Sequence, residues 1–159
     1  MSGRPSLQVL DGGKSISRPQ ADAPVWHPSQ GGRRRVVLYI SGDVDHRSLF
    51  TRSAWRWAKV KLLVAKGGGA GSQMAIDWKP RMVVIDARLP DLEAQALVAS
   101  LRRRTMAPDT PIVVLAHDGT PKERAQFIWA GATAYVSDIF DPVQIDRTVG
   151  MLLEISAWR

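Results

Sequence analysis

The chain has 159 residues, no cysteine and a formal net charge of +7. That length supports one domain with a tail and a core that buries roughly 70% of the unfolded surface. The absence of cysteine excludes a disulfide scaffold, a thiol nucleophile and thiolate metal sites. His27, His46 and His117 are scattered, without metal-ligand spacing. No apolar run approaches the ~20 residues of a membrane span, and the N-terminus lacks the apolar core of a signal peptide. A soluble cytoplasmic protein without a membrane partner is the expectation.

Residues 1–33 are rich in Ser, Gly, Pro, Gln and Arg, with Val25-Trp26 the one notable apolar pair. Such a composition cannot bury enough surface to offset chain entropy, so a disordered basic tail is expected. The charge is uneven. Residues 1–35 hold six Lys/Arg against two Asp, and the remainder sixteen against thirteen acids. A basic balance is compatible with nucleic acid or an acidic partner. Neither a recognition helix nor an aromatic stacking platform is evident, so nucleic acid is not the expected partner.

From residue 34 to 157 the pattern is regular. Val36-Val37-Leu38-Tyr39-Ile40 reads as a strand buried on both faces. Ser41-Gly42-Asp43 follows as a loop, then Leu49, Phe50, Ser53, Ala54 and Trp57 recur at helical spacing over 44–58. Val60-Lys61-Leu62-Leu63-Val64-Ala65 is the second strand. Gly67-Gly68-Gly69-Ala70-Gly71-Ser72 lacks the Lys of a nucleotide loop and the last Gly of a dinucleotide loop. It reads as a turn into a weak helix over 70–78, since each interior Gly costs about 1 kcal/mol relative to Ala.

Met82-Val83-Val84-Ile85 is the third strand and stops at Asp86, which is either a ligand-facing carboxylate at a strand end or a local cap. Asp91 is expected to cap a helix over 91–104 whose inner face is Leu92, Ala96, Leu97 and Leu101. Arg102-Arg103-Arg104 complement the dipole at its end. Ile112-Val113-Val114-Leu115-Ala116 is the fourth strand. Thr120, Pro121 and Glu123 form a capping box for a helix ending at Gly131. Ala132-Thr133-Ala134-Tyr135-Val136 is the fifth strand, and Asp141-Pro142 opens a last helix with Ile145, Val149, Leu152 and Ile155 inward. No output domain is expected before Arg159. Five strands alternating with five helices predict an α/β fold, a doubly wound parallel sheet in the order 2-1-3-4-5. Asp86, the 41–43 loop, Ala116 and Asp138 would then face one shallow pocket.

Several segments together resemble the receiver domain of bacterial two-component response regulators: Val37-Leu38-Tyr39-Ile40, the stretch 80–90, Thr110-Pro111-Ile112-Val113-Val114-Leu115 and Ala130-Gly131-Ala132-Thr133-Ala134-Tyr135. The resemblance covers residues 35–156 and implies a flavodoxin-like (βα)5 domain of the CheY-like kind. It places Asp86 at the position that accepts a phosphoryl group from a histidine kinase. It also implies an acid pair holding Mg²⁺, a Ser or Thr and a Lys, but the matching positions here are Ser41 with Gly42, Ala116 and Asp138. Tyr135 keeps the aromatic switch position. Asp43 lies one position late for the acid pair, so Mg²⁺ held by Asp43 and Asp86, with Asp138 as a third acid, is a minor expectation. Asp138 should also raise the pKa of a neighbouring acid.

Phosphoryl transfer relies on positioning and charge neutralisation. An atypical, non-enzymatic receiver acting by protein–protein contact is therefore the first expectation. Its contact surface would be the face of the fourth helix, fifth strand and fifth helix, with Trp129, Arg124 and Tyr135, and a homodimer is one form such contact takes. A working phosphoacceptor or phosphate sink is the alternative, and an adaptor for nucleic acid or a small ligand is a third.

Overall fold

In the computed structural model the described residues are 8–9, 35–54, 57, 60–106 and 108–157. The apolar runs become strands and the segments between them helices. In chain order these are β1 Gln8–Val9, β2 Arg35–Ile40, α1 Val44–Ala54, β3 Val60–Ala65, α2 Gly68–Trp78 and β4 Met82–Asp86. Then follow α3 Ala94–Arg104, β5 Ile112–Leu115, α4 Pro121–Ala130, β6 Ala134–Val136 and α5 Pro142–Ala157. The sheet order is β1-β3-β2-β4-β5-β6. Its five parallel strands, β2 to β6, follow the order read from the sequence.

β1 is an addition. Gln8 and Val9 pair antiparallel with Val64 and Leu63 on the outer edge of β3, inside the stretch expected to be disordered. The rest of that stretch, Val25-Trp26 included, lies outside the described residues.

Strand side chains alternate between two cores, as a pleat requires. Leu38, Ile40, Val83, Ile85, Ile112 and Val114 face α2, α3 and α4, and all are buried. Val37, Tyr39, Met82, Val84, Val113 and Leu115 face α1 and α5 with Phe50, Ile145, Val149 and Leu153. This alternation decides the site: two residues on from Tyr39 and from Val84, it sends Ser41 and Asp86 to the α1/α5 side.

Several local expectations change. α3 starts at Ala94, with Glu93 at its N-cap, so its buried face is Ala94, Leu97, Val98 and Leu101, while Ala96 is exposed. Asp91 caps α2 instead: its Oδ1 accepts from Gly68 N at 2.8 Å and its Oδ2 from Gly69 N at 2.9 Å. These bonds hold its carboxyl below the usual range. The cap lets α2 begin at Gly68, two residues earlier than expected. Glycine is needed there for close approach, since a Cβ on Gly71 would lie 2.3 Å from Ile40 Cδ1.

α1 ends at Ala54, and residues 55, 56, 58 and 59 lie outside the description. Trp57 follows it, its ring edge-on to Phe50 with centroids 5.4 Å apart. Leu153, not Leu152, is the buried residue of α5's last described turn. Arg102 does more than face a helix dipole. Its guanidinium donates to the carbonyls of Gly131, Pro108 and Thr110 at 3.0, 3.1 and 2.8 Å, and to Thr133 Oγ1 at 3.2 Å. The capping box at Thr120 forms as expected, its Oγ1 accepting from Glu123 N at 3.1 Å, and Asp141 caps α5 through Val143 N and Gln144 N.

Candidate functional site

Asp86 ends β4 at the carboxyl edge of the sheet and is 3% exposed. Both of its oxygens are taken. Tyr39 Oη donates to Oδ1 at 2.6 Å. Ser41 Oγ donates to Oδ2 at 2.5 Å, and His46 Nδ1 lies 2.9 Å from the same oxygen. An ionised carboxylate only accepts, so Nδ1 carries a proton there.

Burial pushes the Asp86 carboxyl up, while the bonds from Ser41, Tyr39 and His46 pull it back. Burial, and then the charge of Asp86, pushes the Tyr39 phenol well above its usual value. Tyr39 therefore stays protonated and donating at neutral pH. Charge-assisted bonds of this kind are shorter and roughly twice as strong as neutral ones.

The other expected pocket residues do not converge on Asp86. Asp43 Oδ1 accepts from Asp45 N and His46 N at 2.8 and 3.0 Å, which makes Asp43 the N-cap of α1. That role holds its carboxyl below the usual range, with the His46 amide leading. Asp138 is exposed, and its Oδ1 accepts from Phe140 N at 2.8 Å. What raises the Asp86 pKa is burial, not the like charge of Asp138. Ala116 is buried, its carbonyl accepting from Ile139 N at 2.8 Å.

Gly42 sits against Pro90: a Cβ there would lie 2.6 Å from Pro90 Cδ. An acid at that position would require the β4–α3 loop to shift. Among the described residues no group of three or more His, Cys, Asp or Glu is placed to hold a metal. Mg²⁺ demands near-octahedral oxygen ligands. A buried carboxylate that already accepts from three donors, with Ser41 and Gly42 beside it, does not fit that demand.

Tyr39 and His46 are the site residues that sequence reasoning missed. The signal for Tyr39 was its parity with Ser41 on one strand. His46 carried a weaker signal, lying in the first turn of a helix that starts at the strand's end. The His46 ring continues outward to Phe140, with centroids 5.7 Å apart, and Phe140 in turn meets His117 at 5.0 Å. Rings from α1, the β5–α4 loop and the β6–α5 loop thus cover the buried carboxylate.

Tyr135 stacks on Phe127 with centroids 5.9 Å apart. Its hydroxyl lies close over Gly119, where a Cβ would be 2.2 Å away. Burial, and then Glu123, pushes its pKa up to about 12. Trp129 is 93% exposed, and Arg124 is exposed on the same helix.

Comparison with known proteins bears on the fold. No protein-family model matches the chain. A curated relative, the phosphate regulon transcriptional regulatory protein PhoB of Pseudomonas aeruginosa, is 23% identical over 111 residues, 70% of this chain and 48% of its own length. The chain therefore spans about half the length of that relative.

Among solved structures, a response regulator protein from Burkholderia multivorans is 29% identical, with a TM-score of 0.60 over 75% of this chain and 94% of its own. The signal receiver domain of an HD domain-containing protein from Pseudomonas fluorescens Pf-5 is 20% identical, with a TM-score of 0.70 over 80% and 100%. Five parallel strands in this order are the CheY-like fold of these structures. This chain has that fold.

Proposed function

We propose that this chain is a phosphorylation-independent receiver of two-component signalling. It is not an enzyme, and it works in the cytoplasm through contact with a histidine kinase or another signalling protein. The observation that carries this reading is the engagement of both Asp86 oxygens by Tyr39, Ser41 and His46. An attacking carboxylate must free an oxygen and then accommodate a phosphoryl group of about −1.5 to −2 charge. By the family resemblance the lysine position is taken here by Asp138 and the acid-pair positions by Ser41 and Gly42. In this reading Asp86 holds β2, β4 and α1 in one arrangement. Contact falls to the α4–β6–α5 face, where exposed Trp129 and Arg124 are of the types that anchor interfaces, and a homodimer through that face belongs to the same reading.

The test is the intact mass of the protein after incubation with Mg²⁺ and acetyl phosphate, beside Asp86→Ala and a receiver that does react. No mass gain in the folded protein is expected. Gain of one phosphoryl group in the wild type alone would establish the second reading, a working phosphoacceptor or phosphate sink. The position of Asp86 at the end of β4 favours that reading.

A further inference from the structure

Charge is divided between the two ends of the sheet. At the carboxyl end seven exposed acids, Asp43, Asp45, Asp91, Glu93, Asp118, Asp138 and Asp141, outnumber the exposed cations Lys66, Arg88 and Lys122. The amino end, where parallel strands begin and helices finish, is the reverse. Lys79 and Arg81 lie in the turn from α2 to β4, and Arg103 and Arg104 close α3; all four are exposed. Arg81 N donates to Val36 O at 2.8 Å, which sets this turn beside the start of β2. Acids at this end include Asp77, Asp109 and, in the C-terminal part of α5, Glu154, and Asp77 is engaged by Gln73 at 3.0 Å.

The fold also brings an aromatic ring to this end. α4 runs down to Ala130, so Trp129 arrives beside Gly131, whose carbonyl is held by Arg102 at 3.0 Å. Trp129, 93% exposed, thus lies two residues before the Gly131 carbonyl that Arg102, the neighbour of Arg103 in α3, holds. The linear sequence hides this, because Trp129 and Arg103 are remote in the chain.

We infer that the amino end of the sheet binds single-stranded nucleic acid, with Lys79, Arg81, Arg103 and Arg104 on backbone phosphates and Trp129 stacked on a base. Positive side chains that track a phosphate backbone, together with an exposed aromatic face, are the two parts of a sequence-tolerant single-strand site. Three of the four cations are Arg, whose planar fork fits a phosphate better than an ammonium does. A bilayer is the poorer match, since the large apolar side chains exposed on α4 are only Trp129 and Ile128. This inference stands apart from the reading of Asp86.

The experiment is fluorescence anisotropy of a labelled oligothymidylate titrated with the full chain across a salt series starting near ~50 mM. The variants are Arg81→Glu/Arg103→Glu/Arg104→Glu, Trp129→Ala and Arg33→Gln/Arg34→Gln, each checked for fold by circular dichroism. Salt-sensitive binding is expected. The triple reversal should flatten the log–log salt slope by about 2, at roughly 0.7 per phosphate contact on a single strand, and weaken binding at least tenfold. Trp129→Ala should weaken binding by roughly tenfold, the order of one lost stack. Three results would overturn the inference: no binding at low salt, binding that survives the triple reversal and is lost with the Arg33/Arg34 change, or binding to anionic phosphatidylglycerol vesicles with none to the oligonucleotide.

Discussion

Replacing Tyr39 by Phe removes one oxygen and leaves the ring in place, packed on Phe50 with centroids 4.2 Å apart. The lost bond is 2.6 Å long, buried, and made to a carboxylate. Hydrogen bonds to charged groups contribute about 1.5–3 kcal/mol. The partner left behind is 3% exposed and cannot recruit water freely, so the cost should fall near the middle, ~2 kcal/mol. For a folded unit of this size that lowers Tm by roughly 6–10 °C. Urea unfolding measures it directly, with a lower midpoint at constant slope.

The cycle with Asp86→Leu isolates the pair. Once the carboxylate is gone the hydroxyl has lost its acceptor, so Tyr39→Phe should cost at least ~1 kcal/mol less in that background. Two additive substitutions, or a Tyr39→Phe protein within ~0.5 kcal/mol of wild type, would refute the reasoning. The Tyr39–Asp86 bond would then not hold the carboxylate in place.

Three other expectations can be checked in the same way. The folded-state pKa of Asp86 is raised, so the folded protein binds more protons than the unfolded one between the ordinary Asp value and that raised value. Ionising Asp86 therefore removes stability as pH rises through this window, and the stability of Asp86→Asn relative to wild type should climb from pH ~4 upward and then level off; a flat difference contradicts it. Asp91→Ala should cost about 1–2 kcal/mol by uncapping α2, and Asp91→Asn much less; guanidinium melts of the two variants separate a lost cap from a lost charge. Arg102→Lys should destabilise by ~1–3 kcal/mol, because an ammonium cannot reach four oxygens on two loops; thermal melts within about 1 °C of wild type would refute that linkage.

The sheet and its order were legible because uninterrupted Val/Ile/Leu runs in β2, β4 and β5 leave little choice but a doubly covered parallel sheet. Asp86 was legible for the same reason, as a carboxylate at the end of such a run. What stayed hidden was which partners reach it. Tyr39 reads as one more apolar residue until the pleat places it beside Ser41, and His46 reads as a lone histidine until α1 folds back over the strand ends. Asp91 misled in the opposite direction. It looks like a local cap, but the backbone amides it serves lie on another helix, and non-local capping leaves no mark in spacing. Asp138 looked like a neighbour of Asp86 by its place in the chain, yet its carboxylate turns to the amide two residues ahead.

β1 gives the sheet a kinetic consequence. Its two register pairs join residues more than fifty positions apart, whereas β2 and β3 share six consecutive pairs. A two-residue ribbon at the rim opens far more easily than the interior of the sheet. Along β3 successive amides point to alternate neighbours, so one of Leu63 and Val64 is guarded by β1 and the other by β2. Hydrogen exchange read residue by residue should therefore alternate there. One amide should exchange through local opening of the rim, and the next should wait for the whole domain to unfold.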